Sequence, residues 1–174
     1  MADEGNDQSS EKIQLGTEKL RAFFISHLDR IHSAKSHLIK KLPLLGKEAY
    51  FSDLQKAIAE TVENVEKQIV RIAMIYTLLD EKVSEGNILG LTGMIDDAFQ
   101  AIQQYTGEPE LRDLSIIFYL QNIESVEMAS FQILEMAAVK LKNKQITQLL
   151  QENYSEAKSD RMLFLLISAK YITN

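Results

Sequence analysis

Apolar residues recur along this chain at the spacing of helix faces. Phe24, Leu28, Ile31, Leu38 and Leu42 follow one another at intervals of three, four and seven, which predicts a first helix from Thr17, read as its N-cap, to a break at Pro43 and Gly46. Ser52 followed by Gln55 has the form of a capping box and precedes Ile58, Val62, Val65, Ile69, Ile72, Tyr76 and Leu79, so a second helix is expected over about 52–80. Gly86 and Asn87 interrupt the pattern, and a shorter amphipathic piece, LGLTGMIDDAFQAIQQY, closes at Gly107 and Pro109. The next segment, LRDLSIIFYLQNIESVEMASFQILEMAAVKLK, is apolar nearly all round and predicts a helix buried on most sides. After a Lys-Asn-Lys turn at 142–144, a last helix is expected over about 145–172, with Ile146, Leu149, Leu150, Leu163, Leu166, Ile167 and Tyr171 facing the core.

The layout is all-α: two helix hairpins joined by a long crossover that carries a short extra helix. It is the arrangement of a ferritin-like four-helix bundle. The 174 residues suit one domain, here 18–174, preceded by a polar tail at 1–17 read as flexible. With 45% hydrophobic and 25% charged residues and no apolar run near the ~18 needed to span a bilayer, no membrane protein is expected. The N-terminus MADEGNDQSS lacks a basic stretch leading into an apolar one, so a cytoplasmic protein is expected. The absence of cysteine excludes disulfides, thiolate metal sites and thiol catalysis. Net charge is −6, yet Asp3, Glu4, Asp7, Glu11 and Glu18 stand within residues 1–18 against Lys12, and the remainder is nearly balanced. No basic stripe marks a nucleic-acid surface.

Charge on the helix seams changes this picture. The line Ile117, Leu120, Glu124, Glu127, Phe131, Leu134, Ala138, Leu141 places two glutamates where apolar residues belong, and the first helix breaks its line only at Lys35. The last helix reads Ile146, Leu149, Asn153, Glu156, Asp160, Leu163, Ile167, and on the second helix Glu63 and Glu66 flank the seam. A cluster of Glu63, Glu66, Glu124, Glu127, Glu156 and Asp160 cannot stay ionised in a low-dielectric core without neutralisation. A divalent metal, shared protons or the Lys35 ammonium would each supply it. Two Glu-x-x-Glu pairs on separate helices suit iron or manganese, because side chains at i and i+3 share a face. The same residues also fit a metal-free polar core whose charges fix helix register.

The segments LDRIHSAKSHL, ETVENVEKQIVRI, LTGMIDDAFQAI, NIESVEMASF and LLQENYSEAKSD resemble the YciF-like family of ferritin-like bacterial stress-associated proteins, over about residues 20–172. The resemblance implies acidic metal-site residues at Glu63, Glu124, Glu127 and Glu156. It also shows two departures. The family's Ala-Glu-Lys on the first helix is here Ala34 followed directly by Lys35, and the histidine of its Glu-x-x-His is here Glu66. A bridging ligand has become a cation, which favours a decayed dimetal centre with Lys35 compensating charge.

The favoured role is non-enzymatic, acting structurally or by assembly, with no catalytic residue assigned and a homodimer expected from the apolar third long helix. The alternative is an iron- or manganese-dependent oxidase, peroxidase-like or iron-binding protein. A remote alternative is histidine phosphotransfer through His32, which with Lys35 forms a His-x-x-Lys pattern but follows the seam residue Ile31. His27 and His37 on the same helix read as surface residues, and no histidine lies elsewhere to complete a His-rich site.

Overall fold

The computed structural model describes residues 14–84 and 90–173, and its regular structure is entirely helical. The break at Gly86 and Asn87, and all but the last few residues of the polar tail, lie outside the described residues. Helices α1 (Thr17–Glu48), α2 (Ser52–Leu79), α4 (Pro109–Leu141) and α5 (Lys144–Thr173) are the long ones, and α3 (Leu91–Ile102) with a 3-10 turn at Gln103–Tyr105 lies in the crossover. At 1.5 Å per residue the long helices span roughly 42–50 Å. Contacts run α1 to α2, α2 to α5, α5 to α4 and α4 to α1, closing a four-helix ring, with α3 laid against α1 and α4.

The two hairpin corners are built differently from the local sequence signals. Thr17 and Ser52 are first helical residues rather than caps, and neither end shows a side-chain capping bond. The start of α2 is instead capped from across the bundle. The buried Asp113 Oδ2, on the first turn of α4, accepts N–H bonds from Tyr50 (2.7 Å) and Phe51 (2.6 Å). Gln55 donates to the Ala49 carbonyl instead of completing a capping box. The other corner is local: Lys142 takes a left-handed conformation, and Asn143 Oδ1 accepts from Gln145 N and Ile146 N at the head of α5.

Pro43 does not end α1, which continues for five residues to Glu48. Proline inside an isolated helix costs about 3 kcal/mol, and here burial of Leu42 and Leu45 on either side offsets it. One turn on, a Cβ added to Gly46 would come within 3.1 Å of Ile58 Cγ2, so glycine lets α1 and α2 approach closely near their corner. Pro109 likewise opens α4 at its first turn instead of marking only the end of the crossover, because its missing N–H is needed least there.

The core is not continuous. One apolar cluster holds Leu38, Leu42, Leu54, Ile58, Ile117, Leu120 and Phe164 at the end where the α1–α2 corner and α3 lie. A second holds Phe24, Leu28, Ile31, Ile72, Phe131, Leu134 and Leu150 at the other end. The boundary falls at Lys35, Gln68, Glu124, Glu127, Asn153 and Asp160, all buried. Helix α4 follows its expected seam, but among the described residues nothing covers parts of its outer face: Phe118 is 61% exposed, and Met136 is 73% exposed with Ile133 and Val139 beside it.

The cross-bundle cap yields a testable consequence. Asp113→Ala leaves two backbone N–H groups without their acceptor and is expected to lower unfolding stability by about 2–3 kcal/mol, whereas Asp113→Asn, which keeps one oxygen, loses less. Urea midpoints at unchanged m-value measure both.

Candidate functional site

Each helix contributes to the mid-bundle layer through its 3,4-spaced buried line. In α1 this line delivers Lys35, fully buried between Ile31 and Leu38. In α4 it delivers Glu124 and Glu127. The Lys35 ammonium donates to Glu127 Oε2 at 2.5 Å and to Gln68 Oε1 from α2, and lies 5.3 Å from the centre of the Phe131 ring. From α5 come Asn153 and Asp160, the latter accepting from Asn64 Nδ2 at 2.9 Å.

Of the acids expected inside, Glu124, Glu127 and Asp160 are brought together and three are not. Glu63 and Glu66 are exposed on the outer face of α2, around a surface depression shared with Lys67 and Val70. The reason is phase. The buried line of α2 is Leu54, Ile58, Thr61, Val65, Gln68, Ile72, and at ~100° per residue Glu63 projects almost opposite to it. In α5 the seam runs Asn153, Ala157, Asp160, Phe164, Ile167, one residue out of step with Glu156 and Leu163, which are half-buried; Leu166 is exposed. Glu156 is held by a bidentate pair with Arg71 (2.7 and 2.9 Å), which also reaches Glu152 at 3.0 Å.

Asn64 and Gln68, which bond Asp160 and Lys35, are members of the layer that a search for acids passes over, and Thr61 is a further buried polar residue on the α2 seam. Their signal was in the sequence, since Ile58, Thr61, Val65, Gln68, Ile72 is an apolar line interrupted as the α4 line is. Outside this layer, Tyr76 donates to the buried Asp29 at 2.5 Å. Tyr119 and Tyr154 are half-buried, and Arg161 donates to Ser125. His32 is half-buried with its ring edge-on to Tyr76, and burial lowers its pKa. His27 is exposed against Phe23, while His37 is half-buried and bonded to Asp96.

The electrostatics follow from one cation among three buried acids. Lys35 and Glu127 form an ion pair. Burial pushes the Glu124 carboxyl well above the usual carboxylate range, the neighbouring Glu127 and Asp160 add to the rise, and Lys35 opposes it. Ionisation of Glu124 is therefore disfavoured relative to an ordinary glutamate. Burial also raises Asp160, to about 6, against the bond from Asn64; Glu60 and Glu127 raise it further and Lys35 lowers it.

These groups do not fit a dinuclear metal centre. Among the described residues no group of three or more His, Asp or Glu side chains is arranged to hold a metal ion. The buried polar atoms without a protein partner in this layer are mixed: Glu124 Oε1, Glu127 Oε1 and Asp160 Oδ2 are acceptors, whereas Gln68 Nε2 and Asn153 Nδ2 carry hydrogens and Thr61 Oγ1 bears one. A cation requires lone pairs converging from all sides. Amide N–H groups and an ammonium present positive charge where a second ligand set would be needed.

Residues 19–169 match the family model described as a domain of unknown function, DUF892. Protein YciF of Escherichia coli strain K12 is 28% identical over 137 residues, which is 78% of this chain and 82% of the relative. Among solved structures, the crystal structure of the E. coli stress protein YciF has a TM-score of 0.83 at 24% identity, covering 89% of this chain and 98% of that one. YcfI from Rhodopseudomonas palustris has a TM-score of 0.79 at 24% identity, with 90% and 96% covered.

The layer makes stability pH-dependent with a definite sign. An acid whose folded pKa lies above its unfolded value binds its proton more tightly when folded, so folding is penalised increasingly as pH rises from about 4 to above 6. Glu124 acts in the same direction. Asp160→Asn keeps the oxygen that Asn64 reaches and is expected to gain about 1–2 kcal/mol at pH 7.5, with little gain at pH 4. Chemical unfolding of both proteins across that range measures the difference.

Proposed function

The chain belongs to the DUF892 family, and we propose that this protein works as a structural, stress-associated bundle whose mid-core position for a metal is taken by its own lysine. The single observation that carries this reading is Lys35, fully buried and paired with Glu127 among acids from two helices. The ammonium supplies the positive charge that a cation would bring, and burial disfavours a second negative charge on Glu124. The relative with the greatest likeness in fold given above is described as a stress protein, and YcfI is put forward as a structural one; both descriptions accord with a role exerted through the folded surface.

Assembly through α4 is part of the proposal. Ile133, Met136 and Val139, spaced three residues apart, form an exposed apolar patch near the end of that helix. Single exposed apolar residues are ordinary, but adjoining ones on one helix face are what a second copy covers in a homodimer. Iron- or manganese-dependent oxidation would need ligands that the layer does not bring together.

Metal analysis of protein purified without chelator tests the core reading. No stoichiometric iron or manganese is expected, and a full equivalent of either would overturn it. Lys35→Met, which strands the buried Glu127 charge, is expected to lose about 3–5 kcal/mol, and adding Glu127→Gln is expected to restore most of that loss. An unchanged stability in Lys35→Met would show that the pair is not what holds the layer.

Sedimentation equilibrium tests assembly: a mass twice 19.8 kDa is expected, falling to one chain in the Ile133→Glu, Met136→Glu double variant while helicity is kept. A wild-type monomer at micromolar concentration removes the dimer from the proposal.

A further inference from the structure

The turn between α4 and α5 carries cations that no acid of the fold meets. Lys140, Lys142 and Lys144 are all exposed, and none has an ion-pair partner among the described residues. Other surface cations are paired: Lys41 with Asp96, Lys170 with Asp53 and Arg21 with Glu81. Two of the unpaired lysines, Lys142 and Lys144, border an open groove of about 450 Å³ between the end of α4 and the start of α5. Val139, 63% exposed, gives it an apolar wall, and Asn143, Thr147 and Gln151 add neutral polar groups. The acids nearest to it in sequence are already bonded, Glu135 by Gln151 at 2.6 Å and Glu152 by Gln148 and Arg71.

The chain's own first residues begin at the same end of the bundle. Helix α1 starts at Thr17, and Phe24 on its second turn belongs to one apolar cluster with Ala138 and Ile146, which flank the α4–α5 turn. Helices α1 and α4 are neighbours in the ring. Residues 1–13 lie outside the described residues, and in them Asp3, Glu4, Asp7 and Glu11 outnumber Lys12. At ~3.3 Å per extended residue such a segment covers up to ~40 Å, whereas packed helices stand ~8–10 Å apart. Reach is therefore ample. Single exposed ion pairs contribute little, but attachment to α1 raises the effective concentration of the acids at the groove to roughly millimolar.

We propose that this groove is the docking surface for the chain's own N-terminal segment, residues 1–13, whose acids lie against Lys142 and Lys144. Docked there, the segment offsets the charge of the turn and closes the groove to other anions. A separate acidic partner would have to outcompete an occupant that is covalently attached. The docking owes nothing to the Lys35 pair. Of the apolar patch proposed for α4 pairing only Val139 borders the groove, so Ile133 and Met136 stay open and the two proposals fail separately.

Paramagnetic broadening in the full chain provides the test. Cysteine is absent, so Ser9→Cys places a single nitroxide label on the segment. At 20 mM salt the amides of residues 139–151 are expected to broaden more than those of 80–83, which Arg21 holds at the same end of the bundle. The excess is expected to fall at least about fivefold at 500 mM salt, because screening shortens the range of exposed charges. Lys142→Glu with Lys144→Glu is expected to abolish it with helicity unchanged, and adding Asp3→Lys, Glu4→Lys and Asp7→Lys is expected to restore it. The docking is overturned by equal broadening of both corners, by an excess indifferent to salt and to the lysine variants, or by no recovery in the charge-swapped chain. Mixing labelled chains with unlabelled, isotope-enriched ones is expected to give no broadening of the latter; broadening there assigns the groove to the segment of a second copy and overturns docking within one chain.

Discussion

The structure depends on one ammonium group with no access to water. Lys35 is drawn into the centre of the ring because the 3,4 spacing of its helix face leaves it no other direction, and a buried charge of that kind persists only where oxygen atoms meet it. Glu127 and Gln68 do so from two different helices. The helices are thereby tied at one height. Sliding α4 by a turn would move Glu127 about 5.4 Å along the axis and leave two opposite charges buried apart, so the pair specifies register even if it adds little net stability.

The remainder of the layer follows from the same scarcity of positive charge. With one cation to three buried acids, full ionisation is disfavoured: burial raises the carboxyls of Glu124 and Asp160, and the neutral amide of Asn64 meets Asp160. Arg71, the cation on α2 facing α5, pairs with Glu152 and Glu156 at the edge of the layer and donates to Asn153 within it at 3.3 Å. The bundle therefore has two electrostatic tiers, an inner one that restricts ionisation and an outer one of ordinary ion pairs. On either side of them the apolar clusters pack as separate blocks, one including the crossover helix and the other the α4–α5 turn.

The crossover illustrates a different division of labour. It is held by a few polar contacts, Asp96 with His37 and Lys41, and by the buried face of Ile95, Ala98 and Ile102. Its shortness leaves space beside α1 that the four long helices do not fill. At its edge Arg112 donates to the Glu48 carbonyl, one residue before the Asp113 that accepts from Tyr50 and Phe51, so adjacent residues of α4 both hold the α1–α2 corner.

The sequence by itself determined the all-α order of elements, the two hairpins and the crossover, because apolar periodicity is a property of each helix and reports its buried face without knowledge of its neighbours. It also identified Lys35, Glu124, Glu127 and Asp160 as interior residues, since each interrupts an otherwise apolar line. It misplaced Glu63, Glu66 and Glu156, which lie only one or two residues from a seam. At 100° per residue such an error changes a side chain from core to surface, and phase was decided by the packing of whole helices, including Thr61, Gln68, Ala157 and Phe164 as seam members. Capping was another tertiary decision: α2 begins one residue earlier than the Ser52 signal implies, with Gln55 N bonded to the Phe51 carbonyl and the Tyr50 and Phe51 N–H groups taken by Asp113 from α4. Which charges meet, and which backbone groups they satisfy, depends on distances between helices, and these exist only once the ring has closed.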